Sequence, residues 1–475
     1  MGDIRIATID HGSAIVPAAE LEDLAASVQG PVLTAGAPGY DEARTIWNAM
    51  IDRRPAVIVR CKNAGDVQQA VRFADARGLL VSIRGGGHNI GGYAVCAGGV
   101  MIDLSLMSAV DVDAAEKRAR VEPGVTLAAL DAATQKYGLA TPVGINSTTG
   151  IAGLTLGGGF GWLTRKLGFT VDNLLSADVV TADGQLRRAS ERENADLFWA
   201  IRGGGGNFGV VTSFEFKLHP VGPEILAGLI VHPFDAAPAL MRHYRSVVAA
   251  TPDELTCWLV FRQAPPLPFL PAEWHGREVA VIALAYCGDV KTGERVIEPL
   301  RSFGKPIGEH LGPMPLVAWQ QAFDPLLTPG ARNYWKSHDF RSVSDGLIEA
   351  IVNAIERLPG PQCEIFLGQL GGASARVAPD AMAFSRRDAE FVINVHTRWE
   401  NSADDARSIA WARELFDAMT PFAMGSVYVN FMAEDDKDRV SSAFGANYSR
   451  LASVKAKYDP RNLFRMNLNI QPMGV

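Results

Sequence analysis

The sequence predicts an α+β protein built from more than one domain, and three observations carry that expectation. The chain is 475 residues long, a strand–helix–strand unit lies near its start, and three glycine clusters all fall before residue 220. A single hydrophobic core seldom serves more than about 250–300 residues, so a chain of this length is expected to divide. The pattern divides it into a first domain over 1–220, a second over 221–424 and a closing segment over 425–475.

Each element has a local reason. The β-branched run at 56–59 reads as a strand, and 64–77 reads as a helix with Val67, Val71 and Ala74 on one face. A second strand at 79–83 completes a βαβ unit with a parallel pair. It runs directly into Arg84-Gly85-Gly86-Gly87-His88-Asn89. Strands at 100–104 and 118–122 follow, the latter ending in a Pro123-Gly124 turn before a helix over 127–137. A second glycine block spans 149–161, a third spans 203–209, and an alternating strand follows over 210–218. The middle region carries strands such as 279–284, long helical stretches and a proline-rich loop at 264–271. From 425 a compact helix-and-strand pattern returns, with its last parts at 457–460 and 467–470.

Composition narrows the function. The net charge of −7 comes without a basic stripe, so nucleic acid is not an expected partner. No apolar run reaches the roughly 18 residues a bilayer requires. Residues 1–6 do not form a charged-then-apolar leader, and Ile6 stands where a myristoylation signal needs Ser or Thr. Cys61, Cys96, Cys257, Cys287 and Cys363 are far apart and are read as reduced, buried thiols of a cytoplasmic protein. The nine histidines show no metal-ligand spacing, so no metal is expected.

One glycine cluster alone is more often a tight turn than a binding site. Three together imply main chain running close to a bulky ligand, because only glycine leaves that room. Successive N–H groups and helix N-termini in such turns suit a phosphate-bearing cofactor. Gly204-x-Gly206-x-x-Gly209 matches the dinucleotide fingerprint formally, but a helix precedes it and a strand follows, the reverse of what a nicotinamide-binding site requires. Hydrolase-type G-x-S-x-G and P-loop motifs are absent.

The stretch 81–89 followed by Gly91-Gly92 resembles the pyrophosphate-binding loop of the vanillyl-alcohol-oxidase and p-cresol-methylhydroxylase superfamily. The likeness continues through 157–168, 172–174 and 196–205, and returns at 428–431 and 447–465; it is closest to the berberine-bridge-enzyme-like branch. It implies a two-part FAD-binding domain of the p-cresol-methylhydroxylase type, with the closing segment folded back onto it. The inserted substrate domain would be an antiparallel sheet covered by helices. It also implies FAD attached covalently through His88 to the flavin 8α-methyl carbon. Cofactor contacts are implied at Arg84, Gly85, Gly86, Gly87, Asn89, Asn146, Thr149, Gly150, Gly153, Leu154, Gly157, Gly158, Gly159, Phe160, Gly209, Val210, Val211, Asn430, Asn467 and Asn469.

Two departures from that branch stand out. Asn146 occupies the place where many members carry a second flavin-linking cysteine, so one covalent bond is expected. Phe431 replaces the second tyrosine of the Tyr-x-Asn-Tyr motif, which leaves Tyr428 as its surviving phenol. Tyr428 and Gln369 are the expected catalytic residues, with the substrate near 364–372. The implied reaction is oxidation of a small alcohol, sugar or secondary metabolite by hydride transfer to flavin N5. O2 is the expected acceptor, because Thr149 stands where the family gates oxygen and is smaller than leucine or isoleucine. A dehydrogenase using another acceptor and a flavin-binding protein with little turnover are the alternatives. Substrate identity and oligomeric state are not written in the sequence.

Overall fold

The computed structural model describes residues 2–474. Three sheets carry most of the architecture. The first has four strands in the order Val32–Leu33, Val57–Arg60, Val100–Asp103, Val81–Arg84. The last three are parallel and the first is an antiparallel edge. The helix Ala64–Ala76 crosses over this sheet, started by Asn63, whose side chain accepts the Asp66 N–H. The strands at 57–60 and 81–84 are parallel as expected but are not neighbours. Val100–Asp103, all four residues without solvent exposure, lies between them. The strand with the least need of water takes the centre, where both faces are covered.

The second sheet has five antiparallel strands in the order Leu186–Ser190, Leu174–Val180, Val210–Lys217, Arg118–Val121, Val110–Asp113. Three of these, at 110–113, 174–180 and 186–190, were not read from the sequence. At Val110–Asp113 and Leu186–Ser190 the alternation is half-exposed and charged and carries little apolar signal. Its core joins Phe198, Phe208 and Phe214 to Leu451, Tyr458 and Ile470 of the closing segment.

The third sheet has seven strands, all antiparallel, drawn from residues 224–399. Its order is Gly308–Pro315, Glu224–Pro233, Glu278–Tyr286, Leu255–Gln263, Glu364–Gln369, Phe391–Trp399, Arg332–Phe340. The helices Ala237–Val248, Val290–Arg301, Asp345–Ile355 and Asp405–Met419 share a core with one face of it. Residues alternate between faces along a strand. The opposite face therefore carries Trp258, Glu364, Phe366, Asn394 and His396, toward the glycine loops.

The closing segment departs from expectation: among the described residues it forms helices, chiefly Tyr448–Tyr458, and no strand. The Asn-Leu-Asn-Ile run at 467–470 has strand-like alternation but finds no ladder. It is held instead by Asn207, whose Nδ2 donates to Leu468 O and whose Oδ1 accepts the Ile470 N–H.

Candidate active site

A long cavity runs between the glycine loops and the bare face of the seven-stranded sheet. Its lining draws on all three glycine clusters, the sheet and the closing segment, an extent that suits a large cofactor together with a second molecule.

One wall is main chain. The strand Val81–Arg84 ends at the loop 85–89, which meets the loop before the helix Ile151–Leu156 backbone to backbone. A Cβ on Gly86 would lie 2.4 Å from Gly150 N, and one on Gly150 would lie 2.4 Å from Gly86 N. Two glycines are thus required by each other. Along the same wall Gly153 and Gly206 have nothing within 4 Å of where a Cβ would stand, so the main chain there borders open space. Asn467 Oδ1, also on this wall, is buried without a partner. Bare peptide groups and an unused acceptor beside a large void fit a cofactor that carries phosphates and a polar ring edge.

His88 sits where the wall turns toward the sheet. Its ring stacks on Trp47 at 5.1 Å between centroids, with Nε2 2.9 Å from Thr148 Oγ1 and Nδ1 3.4 Å from Thr149 Oγ1. Burial pushes its pKa down to about 4, partly opposed by its bond with Thr148. The imidazole is therefore neutral at ordinary pH and keeps a nucleophilic lone pair.

Eighteen of the residues singled out from the sequence for cofactor binding or catalysis border the cavity: residues 85–89, Asn146, Thr149, Gly150, Gly153, Leu154, Gly157, Phe160, 209–211, Tyr428, Asn430 and Asn467. Five do not, and each has a local reason. Arg84 donates to Ala43 O and its Nε packs behind Gly87, so it braces the loop from outside. Gly158 is turned against the Phe384 ring, and Gly159 donates its N–H to the Tyr428 hydroxyl. Asn469 borders a second, adjoining pocket with Arg53 and Tyr448. Gln369 is the fullest correction: its Oε1 accepts the Cys257 N–H and its Nε2 donates to Val248 O, on the helix side of the sheet.

Tyr428 is almost wholly buried, and its oxygen accepts from Gly159 N–H at 3.0 Å and Asn430 Nδ2 at 2.9 Å. Burial raises its pKa above the ordinary phenol value, and these two donors with the nearby Arg386 only partly offset that.

The cavity also has residues the sequence reading did not single out. Trp47, Trp258, Trp335, Asn394 and His396 border it from the other wall, and residues 203–207 extend the third glycine block into it. A signal existed for Asn394 and His396. With Arg398 they are polar at every second position from 394 to 398, which marks a face turned toward something polar.

Residues 55–190 match the FAD binding domain family model, and residues 427–471 match the model described as berberine and berberine like. An FAD-linked oxidoreductase of Dictyostelium discoideum is 32% identical, covering 94% of this chain and 96% of that protein. (R)-6-hydroxynicotine oxidase of Paenarthrobacter nicotinovorans is also 32% identical, covering 94% and 98%. This chain belongs to the berberine-bridge-enzyme-like FAD-linked oxidases. The solved structure of 6-hydroxy-D-nicotine oxidase from Arthrobacter nicotinovorans superposes with a TM-score of 0.85 at 30% identity, over 94% of this chain and 98% of that one. A BBE-like protein of Physcomitrella patens shares the fold, with a TM-score of 0.86 at 24% identity. The protein is thus an FAD-dependent enzyme that oxidises small organic substrates, on an FAD-binding domain of the p-cresol-methylhydroxylase type.

Proposed function

We propose that this enzyme carries FAD bonded once, through His88, and uses O2 as its electron acceptor. The carrying observation is His88 itself: a neutral imidazole at the end of the glycine wall, fixed by Trp47, Thr148 and Thr149. When bound, FAD would supply the two-electron redox chemistry, with a substrate C–H as the hydride source, a substrate proton leaving separately, and both hydrogens ending on O2 as H2O2. The protein's part is to hold the cofactor, orient the substrate and keep bulk water out.

Asn146 has a different task from a cysteine there. Its Oδ1 accepts from Thr148 N–H and Thr148 Oγ1, and its Nδ2 donates to Leu327 O, so it shapes the Thr148 contact on His88. Thr149 borders the cavity next to His88 and leaves space that leucine would fill. Tyr428 fits orientation better than proton removal, because burial keeps it a phenol and both N–H donors on its oxygen lie in the protein frame. An FAD-binding part of 1–220 with 425–475, and a substrate part of 221–424, is supported by sheets that each draw on one side of those boundaries. A cytoplasmic site of action is supported by five buried cysteines, all as free thiols.

The test is chemical. Denatured wild-type protein should stay yellow and yield one flavin–peptide, containing His88, while His88→Ala should release its flavin into acid. A second flavin–peptide, or an unmodified His88 peptide from yellow protein, would refute the single bond. Thr149→Leu should slow reoxidation by air at least about tenfold, on the order of 1.4 kcal/mol of barrier, with substrate reduction nearly unchanged. Unaltered reoxidation would place the oxygen path elsewhere.

A further inference from the structure

A closed ring of side chains borders the sheet end of the cavity. Starting at Phe366, the Trp258 ring lies 4.9 Å away edge-on, and Phe160 follows at 6.1 Å. Phe431 packs on Phe160 at 5.7 Å, and Trp335 on Phe431 at 5.6 Å. His396 meets Trp335 at 4.7 Å and bonds Glu364 through Nδ1 at 3.2 Å. Glu364 closes the circuit, because it stands two residues before Phe366 on the same face of the same strand. Every member borders the cavity.

We propose that this ring is the substrate chamber and that it selects a planar aromatic molecule bearing an O–H or N–H group, which donates to Glu364. The inference rests on FAD lying along the glycine wall as proposed above. Five aromatic side chains offer flat apolar walls and edges, which suit another aromatic ring. They offer little to a sugar, whose many hydroxyls each need a partner once water is gone.

The polar end is specific about what it accepts. Glu364 Oε2 takes a bond from Arg262 Nη1 at 2.7 Å, and Oε1 faces His396. Burial alone would push the carboxyl up, but Arg262, His396 and Arg398 reverse that and hold it at about 2. It is therefore ionised throughout the working range, and an ionised carboxylate only accepts. Both its oxygens have lone pairs left after these single bonds. His396 has no such freedom. Its Nε2 faces Asn333 Oδ1 at 3.4 Å, and Asn333 is held in that orientation because its Nδ2 donates to Ala331 O at 2.9 Å. Asn394, two residues from His396 on the same face, borders the cavity with an amide that can accept or donate, and the Trp335 indole N–H is buried with no partner. The one charged group of the chamber, Glu364, can only accept, so a molecule that bonds it must bring the hydrogen.

The experiment titrates oxygen-free holoenzyme with phenol, anisole and cellobiose, following the flavin difference spectrum and the heat of binding. Phenol and anisole share a ring, and methylation removes only the donor. Wild type should bind phenol at least about tenfold more tightly than anisole, the scale of a hydrogen bond to a charged group, and cellobiose more weakly than phenol. Glu364→Gln should cut the phenol preference severalfold, since a neutral amide is a weaker acceptor. Phe366→Ala should weaken both aromatic ligands alike and keep the preference, so the two variants separate the acceptor from the wall. Equal binding of phenol and anisole, no binding of either, or tighter binding of cellobiose than of phenol would each overturn the proposal. So would an undiminished preference in folded Glu364→Gln. Flavin content, read beforehand from the visible absorbance, tests the cofactor reading separately.

Discussion

The two walls of the cavity are made by opposite means. On the glycine side the main chain itself is the surface, and the two loops touch at Gly86 and Gly150 with no room for a methyl group. On the sheet side the main chain is remote and the surface is side chain, Trp258, Phe366, Trp335 and their neighbours standing off the strands. The first wall has almost no freedom to vary, because backbone cannot be repacked around an added atom. The second can change one residue at a time without moving its scaffold. A shared cofactor and divergent substrates within one family follow from that division of labour.

Substitutions should expose the contrast, the largest effect coming from the rigid wall. Gly86→Ala sets a Cβ against Gly150 backbone and should cost on the order of 4 kcal/mol. Flavin occupancy should fall below about a tenth of wild type, a cutoff on the ~1.4 kcal/mol-per-decade scale. Phe366→Ala, on the other wall, should keep its flavin. Retained flavin and an unchanged melting temperature in Gly86→Ala would mean that the glycine wall tolerates change as readily as the sheet wall.

A smaller effect is expected where the walls meet. Asp131 is buried on the helix Leu127–Gln135 and accepts from Gln320, which also donates to Gly144 O on the cavity wall. Burial raises the Asp131 carboxyl to about 7, only partly offset by Gln320. The folded state thus binds the proton more tightly than the unfolded chain, whose value is 3.8. Stability from this group is complete below the unfolded value and is lost as pH rises through about 7. Asp131→Asn should therefore stabilise the protein by about 2 kcal/mol at pH 8 and by little at pH 4. Thermal melts at the two pH values decide it: an equal shift at both would mean that ionisation plays no part.

The smallest effect is assigned to Gln369. Gln369→Ala should cost about 1 kcal/mol by leaving the Cys257 N–H short of a partner. Flavin reduction in stopped flow should remain within about twofold of wild type, well under the ~1.4 kcal/mol of a tenfold change. A tenfold slowing would return Gln369 to the site.

What could be read from the sequence follows the same division. The glycine wall was legible because each close approach forbids a Cβ and so writes a glycine into the chain. His88 was legible from its place within that loop. The sheet wall was not, because alternation identifies two faces without saying which one meets the cofactor. Gln369 shows the consequence: the segment 364–372 was expected near the substrate and its strand does border the cavity, but through Glu364 and Phe366, while Gln369 has the wrong parity. Trp335 and Trp258 left no local trace, since an aromatic on a strand reads as core whichever side it takes. The parallel direction of the strands at 57–60 and 81–84 was readable from their crossover, but Val100–Asp103 between them was not, because neighbour order depends on later chain.

The tie between Asn207 and the closing segment bears on how the molecule is made. Lys455 Nζ, buried, donates to Asn207 O, Asp459 Oδ2 and Phe464 O, and residues 466–468 complete the glycine wall. Chains are synthesised at about 5–20 residues per second, so the roughly 250 residues between Val211 and Met466 take about 10–50 s to appear. Through that interval Phe198, Phe208 and Phe214 wait for Leu451, Tyr458 and Ile470, with the nascent chain exposing apolar surface that the finished protein hides. The wall that lines the cavity is therefore complete only once the closing segment has been made.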